Sequence, residues 1–216
     1  MELSFFRRCS LSAATAFTSL FAAAPAYAHH AMGGRTPATP MEGLISGLVH
    51  PVIGVDHFAF VLGVGFATAF LGARLAPILF FVAATLLGCT LQLQGVVLPA
   101  AEFVVAGSVL LIGAILMSGT KVPAPVIIAI FGVAGLFHGW AYGESIVGAE
   151  QTPVLAYLAG FAIVQLAAAT GVMLIIRRIW HAERALRLRL TGGVIAGFGA
   201  AFLFENIERV LLPGVS

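Results

Sequence analysis

Six long apolar stretches run through this chain, each closed by a short polar or glycine–proline break. They cover roughly Gly43–Leu71, Leu75–Leu93, Leu98–Ser118, Pro123–Tyr142, Val154–Ile176 and Leu190–Leu212. A helix needs about 20 apolar residues to cross a hydrocarbon core, so the pattern predicts an all-α membrane protein with six transmembrane helices. Arg74, Gly95, the segment from Gly119 to Pro123, the segment from Gly148 to Pro153 and the basic run from Arg177 to Arg189 punctuate the spans. Pro99 and Pro123 fall near helix starts, where a missing N–H does little harm.

The N-terminal stretch reads differently. Arg7 and Arg8 form a basic region, Leu11 to Ala24 is apolar, and Ala26-Tyr27-Ala28 is a small-residue cleavage site. Residues 1–28 are therefore expected to be a cleaved signal peptide. His29 then becomes the first residue, and residues 29–42, with Gly33, Gly34, Pro37 and Pro40, form a tether outside the membrane. Residues 43–216 form the six-helix domain.

Composition agrees with the pattern: 60% hydrophobic and 9% charged residues, with a mean hydropathy of +1.05. A net charge of +2 with no basic stripe interleaved with aromatics excludes nucleic acid as a partner, and the lipid bilayer takes its place. Cys9 and Cys89 support neither a disulfide framework nor a zinc-finger spacing. Arg74, Lys121 and the group Arg177, Arg178, Arg184, Arg187 and Arg189 lie in alternate loops. The positive-inside rule puts those loops in the cytoplasm and both mature termini outside, across a bacterial inner membrane.

Against this background the ionisable residues inside the spans stand out. His50-Pro51-Val52-Ile53-Gly54-Val55-Asp56-His57 places two imidazoles and a carboxylate in the first span. Such groups survive in hydrocarbon when they face partners, a cavity or a ligand. Two histidines and an aspartate suit a borderline divalent metal such as nickel, cobalt or zinc. In a regular helix His50 and His57, two turns apart, share a face, and Asp56 points about 100° away. Pro51 and Gly54 weaken the ladder there, so a kink is expected to gather the three groups.

The fourth span repeats the theme as His138, five residues, then Glu144. The two motifs fall in the first span of each group of three, as in a three-plus-three inverted repeat. Glu102 opens the third span. With the orientation above, these groups line a funnel from the outer surface to the midplane. His29 and His30, with the new α-amine, offer nitrogen donors for ion capture on the outer face.

These residues resemble the HupE/UreJ family of small membrane proteins. The resemblance rests on the signal followed by His29, the H-P-x-x-G-x-D-H run from His50 to His57, Glu102 with Ser108, and Phe137-His138-Gly139-x-Ala141-x-Gly143. The family commonly reads F-H-G-x-A-H-G-x-E at the last motif. Here Tyr142 replaces the second histidine and Glu144 comes one residue early. The resemblance implies a secondary permease for Ni²⁺ or Co²⁺ uptake in support of hydrogenase, urease or cobalamin synthesis. Its partners would be the metal ion and either further copies of the chain or proteins of those pathways. The alternative is a membrane metal-binding accessory protein that does not transport. His29, His30, His50, Asp56, His57, Glu102, His138 and Glu144 form the implied metal-binding set. The ion is cargo and no prosthetic group is expected. The sequence lacks G-x-x-x-x-G-K-[ST], H-E-x-x-H and G-x-S-x-G, so neither nucleotide hydrolysis nor an enzymatic role is expected.

Overall fold

A computed structural model describes residues 35–72, 74–179 and 184–212. The expected signal peptide, with His29 and His30, lies outside the described residues. The described chain is helical throughout, with no strand among the described residues. Five helices are long and apolar enough to cross a membrane, and a bent helix pair makes a sixth span. The chain is thus a multi-pass membrane protein.

The first span begins at a capping box. Thr39 Oγ1 accepts the Glu42 amide at 3.2 Å, and Glu42 Oε2 accepts the amides of Ala38 and Thr39 at 2.8 and 3.2 Å. Helix α1, Pro40–Ile53, therefore starts three residues before the expected Gly43. It stops at Gly54, and α2, Val55–Leu71, leaves at an angle of 79°. The expected kink at Pro51–Gly54 is thus a full break in the helix. Pro51 has no N–H to give to the preceding turn, and Gly54 is a weak helix former, so two adjacent defects end the ladder. Gly54 then serves both helices: its N–H donates to His50 O at 3.2 Å, and its carbonyl accepts the Phe58 N–H at 2.8 Å.

The remaining helices are α3, Ala76–Leu93; α4, Ala101–Ser118; α5, Ala124–Gly143; α6, Gln151–Ile179; and α7, Arg184–Leu211. A 3₁₀ turn, Glu144–Ile146, follows α5. Helices α6 and α7 run past the expected ends at Ile176 and Leu190, because arginine is a good helix former and a solvated backbone beyond the bilayer needs no break. Arg177 Nη2 reaches back to the Thr68 carbonyl at 3.3 Å, tying the basic end of α6 to α2.

Helix α2 touches all six other helices. Its buried residues, among them His57, Phe60, Val61, Val64 and Ala67, cover every side, as befits an apolar helix inside a bundle. Around it the other six form three close pairs: α1 with α6, α3 with α5, and α4 with α7. Glycine makes each pair close, and the registers of the first two correspond. A Cβ on Gly43 or Gly47 would lie 2.2 Å from the carbonyl oxygen of Pro153 or Tyr157, respectively. A Cβ on Gly135 or Gly139 would lie 2.9 or 1.9 Å from that of Phe81 or Thr85. In return Gly160 sits against Leu44 O, and Gly88 against Leu136 O. Both of these pairs run parallel. Helices α4 and α7 run antiparallel, with Gly199 against Leu110 and Gly192 against Met117. Six spans of alternating direction produce this combination.

Candidate metal centre

The bend at Gly54 brings the first motif together by a route that helix periodicity does not supply. Seven residues along a straight helix separate Cα atoms by about 10 Å. Across the bend the His50 and His57 rings have centroids 6.3 Å apart. Helix α5 adds His138, whose ring lies 4.9 Å from that of His57, and Tyr142, whose ring lies 4.4 Å from His57 and 5.1 Å from His50. All four side chains are buried, and His138 and Tyr142 have no exposure at all.

Hydrogen bonds fix the imidazole protons. Ser108 Oγ on α4 gives its proton to the Val105 carbonyl at 2.7 Å and meets His138 Nε2 at 2.9 Å, so it accepts from Nε2–H. His138 then carries its lone pair on Nδ1. His57 Nδ1 lies 2.8 Å from that atom and donates to it. The same logic applies to His50. Tyr157 on α6 gives its proton to the Tyr142 carbonyl at 2.8 Å and therefore accepts from His50 Nδ1, also at 2.8 Å. Ser145 Oγ, in the 3₁₀ turn, stands 3.1 Å from the same nitrogen. Nδ1 of each first-motif histidine is thus held by a neighbour, that of His50 by Tyr157 and that of His57 by His138.

Asp56 is buried beside them, its Oδ1 accepting the His57 amide at 2.8 Å at the start of α2. This places a negative charge next to the imidazoles, where it would offset a divalent cation. Among the described residues no three His, Cys, Asp or Glu side chains already converge on one ion position. The imidazoles instead satisfy one another, as the 2.8 Å contact between His57 and His138 shows.

Two carboxylates of the implied set are exposed. Glu102, in the first turn of α4, is exposed, and its backbone carbonyl accepts Asn206 Nδ2 at 3.1 Å. Glu144 is exposed in the 3₁₀ turn, because α5 ends at Gly143 before the carboxylate is reached. Spacing from His138 alone did not reveal that end. Sequence reasoning also passed over Tyr157 and Ser145, which orient His50. A tyrosine inside an otherwise apolar span is the signal that pointed to the first of them.

Tyr142, which the motif comparison treats as a lost ligand, is part of the centre. Its hydroxyl is buried and has no hydrogen-bond partner among the described residues. Such an orphan costs about 1–3 kcal/mol. Tyr142→Phe is therefore expected to leave the metal-free protein as stable or more stable, and to shrink the rise in unfolding temperature on adding Ni²⁺. Equal metal-induced shifts in the two proteins would remove the phenol from the centre.

Comparison with known proteins gives one family and one curated relative. The family described as HupE / UreJ protein matches residues 16–202. Protein HupE of Rhizobium leguminosarum bv. viciae is 32% identical over 184 residues, covering 84% of this chain and 92% of that protein. No solved structure matches.

Proposed function

The chain belongs to the HupE/UreJ family, and from that premise we propose that it is a permease carrying Ni²⁺ or Co²⁺ into the cytoplasm. The family is linked to nickel and cobalt uptake for hydrogenase and urease, and it is not a known enzyme family. The observation that carries the proposal is the buried centre at the Gly54 bend. Nδ1 of His50 and of His57 is held by Tyr157 and His138, and the Asp56 carboxylate lies beside them. Imidazole nitrogens and one carboxylate oxygen are a donor set for borderline divalent ions, not for Mg²⁺ or Ca²⁺.

The ion enters from the face opposite the basic loops, which lie on the cytoplasmic side by the positive-inside rule. His29 and His30 capture it there. Glu102 and Glu144, both exposed, belong to the approach to the buried centre and not to the centre itself.

The two groups of three spans are an inverted repeat, with the centre where the halves meet. The glycine registers support this. They equate Gly43, Leu44 and Gly47 with Gly135, Leu136 and Gly139, and Tyr157 and Gly160 with Thr85 and Gly88. In that alignment His50 corresponds to Tyr142 and Ser46 to His138. It replaces the sequence-level echo that equated His50 with His138.

Uptake into proteoliposomes tests the proposal. Purified protein is reconstituted around a dye quenched by Co²⁺, and Co²⁺ is added outside. Saturable quenching above protein-free vesicles is the expected result. Binding to the protein without accumulation would instead assign the chain an accessory role.

A further inference from the structure

Gln165 lies on α6, fully enclosed, and plays no part in the centre described above. Its neighbours fix its amide. Thr85 Oγ1 gives its proton to the Val82 carbonyl at 2.8 Å, so toward Gln165 it can only accept. The Phe161 carbonyl can only accept as well. Gln165 Nε2 donates to Thr85 at 3.3 Å and to Phe161 at 3.2 Å. A flipped amide would aim oxygen at both acceptors, so the assignment is forced. The carbonyl oxygen Oε1 is consequently turned into the protein interior, where it has no hydrogen-bond partner among the described residues. A buried carbonyl left unpaired is a cost that packing alone does not explain.

The position of that oxygen gives it a use. Helices α2 and α6 meet where a Cβ on Gly65 would lie 2.5 Å from Ala169 O. They belong to spans running in the same direction, so Gln165 is level with Val61, one helical turn beyond His57 toward the basic end. Thr85, which holds the amide, has its own backbone carbonyl against Gly139, the neighbour of His138. The rest of this level is aromatic. Phe60 stacks on His138 with ring centroids 4.5 Å apart, and Phe60 and Phe81 lie 5.6 Å apart. Beside the histidines, at this level, are thus the rings of Phe60 and Phe81 and the Gln165–Thr85 pair.

We propose that Gln165 Oε1 is a second, oxygen-donating station for the transported ion, one turn inward of the histidine centre. The inference rests on the transport reading above. A neutral amide oxygen holds Ni²⁺ or Co²⁺ more weakly than imidazole does, which suits a group that receives an ion and passes it on.

The test uses the same dye-loaded proteoliposomes with external Co²⁺, together with equilibrium Co²⁺ binding to the purified full chain. Gln165→Met keeps the volume and removes the oxygen. It is expected to slow initial uptake by about tenfold while leaving binding within about twofold, since the histidines remain. Gln165→Glu keeps an oxygen donor and is expected to retain roughly a third or more of the wild-type rate. Uptake by Gln165→Met at the wild-type rate would overturn the inference and leave the transport reading intact. Loss of Co²⁺ binding in Gln165→Met, or a Gln165→Glu variant as slow as Gln165→Met, would make Gln165 a packing residue and also overturn it. Wild-type vesicles that take up no Co²⁺ would remove the transport reading itself, and the station with it.

Discussion

Replacing His57 with alanine is expected to weaken Co²⁺ or Ni²⁺ binding by about 100-fold or more and to abolish uptake. Removing only an outer partner of a metal-binding histidine costs about 10–100-fold, and the proposed role of His57 is that of a direct ligand. Its ring meets those of His50, His138 and Tyr142, so it is the common neighbour in the centre. Its Nδ1 also holds His138 Nδ1 through the 2.8 Å contact. The alanine variant therefore loses one nitrogen donor directly and unsettles a second. Calorimetric titration of the purified variant reads the affinity, and size-exclusion chromatography shows that the bundle remains assembled. Wild-type affinity in a folded His57→Ala protein would move the metal elsewhere.

A second large effect is expected at Gly139, where the packing of the bundle and the geometry of the centre coincide. A methyl group there would lie 1.9 Å from Thr85 O and 2.6 Å from its Cα, both rigid backbone atoms. Helices α3 and α5 would have to separate, and overpacking of this kind costs about 1–3 kcal/mol or more. The shift also carries His138, the adjacent residue, away from His57. Gly107 on α4 provides the contrast, since a Cβ there meets nothing within 4 Å. Gly107→Ala is expected to be neutral or to stabilise by up to about 1 kcal/mol through helix propensity. Thermal unfolding in detergent compares the two. Gly139→Ala should unfold several degrees lower and bind Co²⁺ more weakly, and Gly107→Ala should do neither. Equal melting of both variants would contradict the close pairing of α3 with α5.

The contrast between these two glycines shows where sequence reading reached its limit. The spans were legible because burial in lipid demands long apolar runs, and five of the six correspond to single helices within a few residues at most ends. His50, Asp56 and His57 were legible because ionisable groups in hydrocarbon are costly. The 79° bend between them was foreshadowed by Pro51 and Gly54, but its size depends on how α2 packs in the middle of the bundle. Periodicity put His50 and His57 on one face of a single helix, whereas a break brings them together. The spacing of Glu144 from His138 matches that of the first motif, yet α5 ends before it. Tyr142 read as a lost ligand because a motif compares residue types and does not show an enclosed hydroxyl without a partner. Gln165 carries no motif at all. A glutamine in an apolar span was the signal it offered, and only the register of α6 against α2 and α3 gives it a place.

In the proposed function the ion sits among the histidines at the Gly54 bend, and X-ray absorption at the metal edge of Co²⁺-loaded protein reads its ligands there. Nitrogen ligands near 2.0–2.1 Å are expected, with the outer-shell scattering of at least two imidazoles, as for histidine bound to a similar divalent ion. In His57→Ala that imidazole signal should fall. A sphere of oxygen ligands alone, unchanged by the substitution, would place the ion outside the histidine cluster.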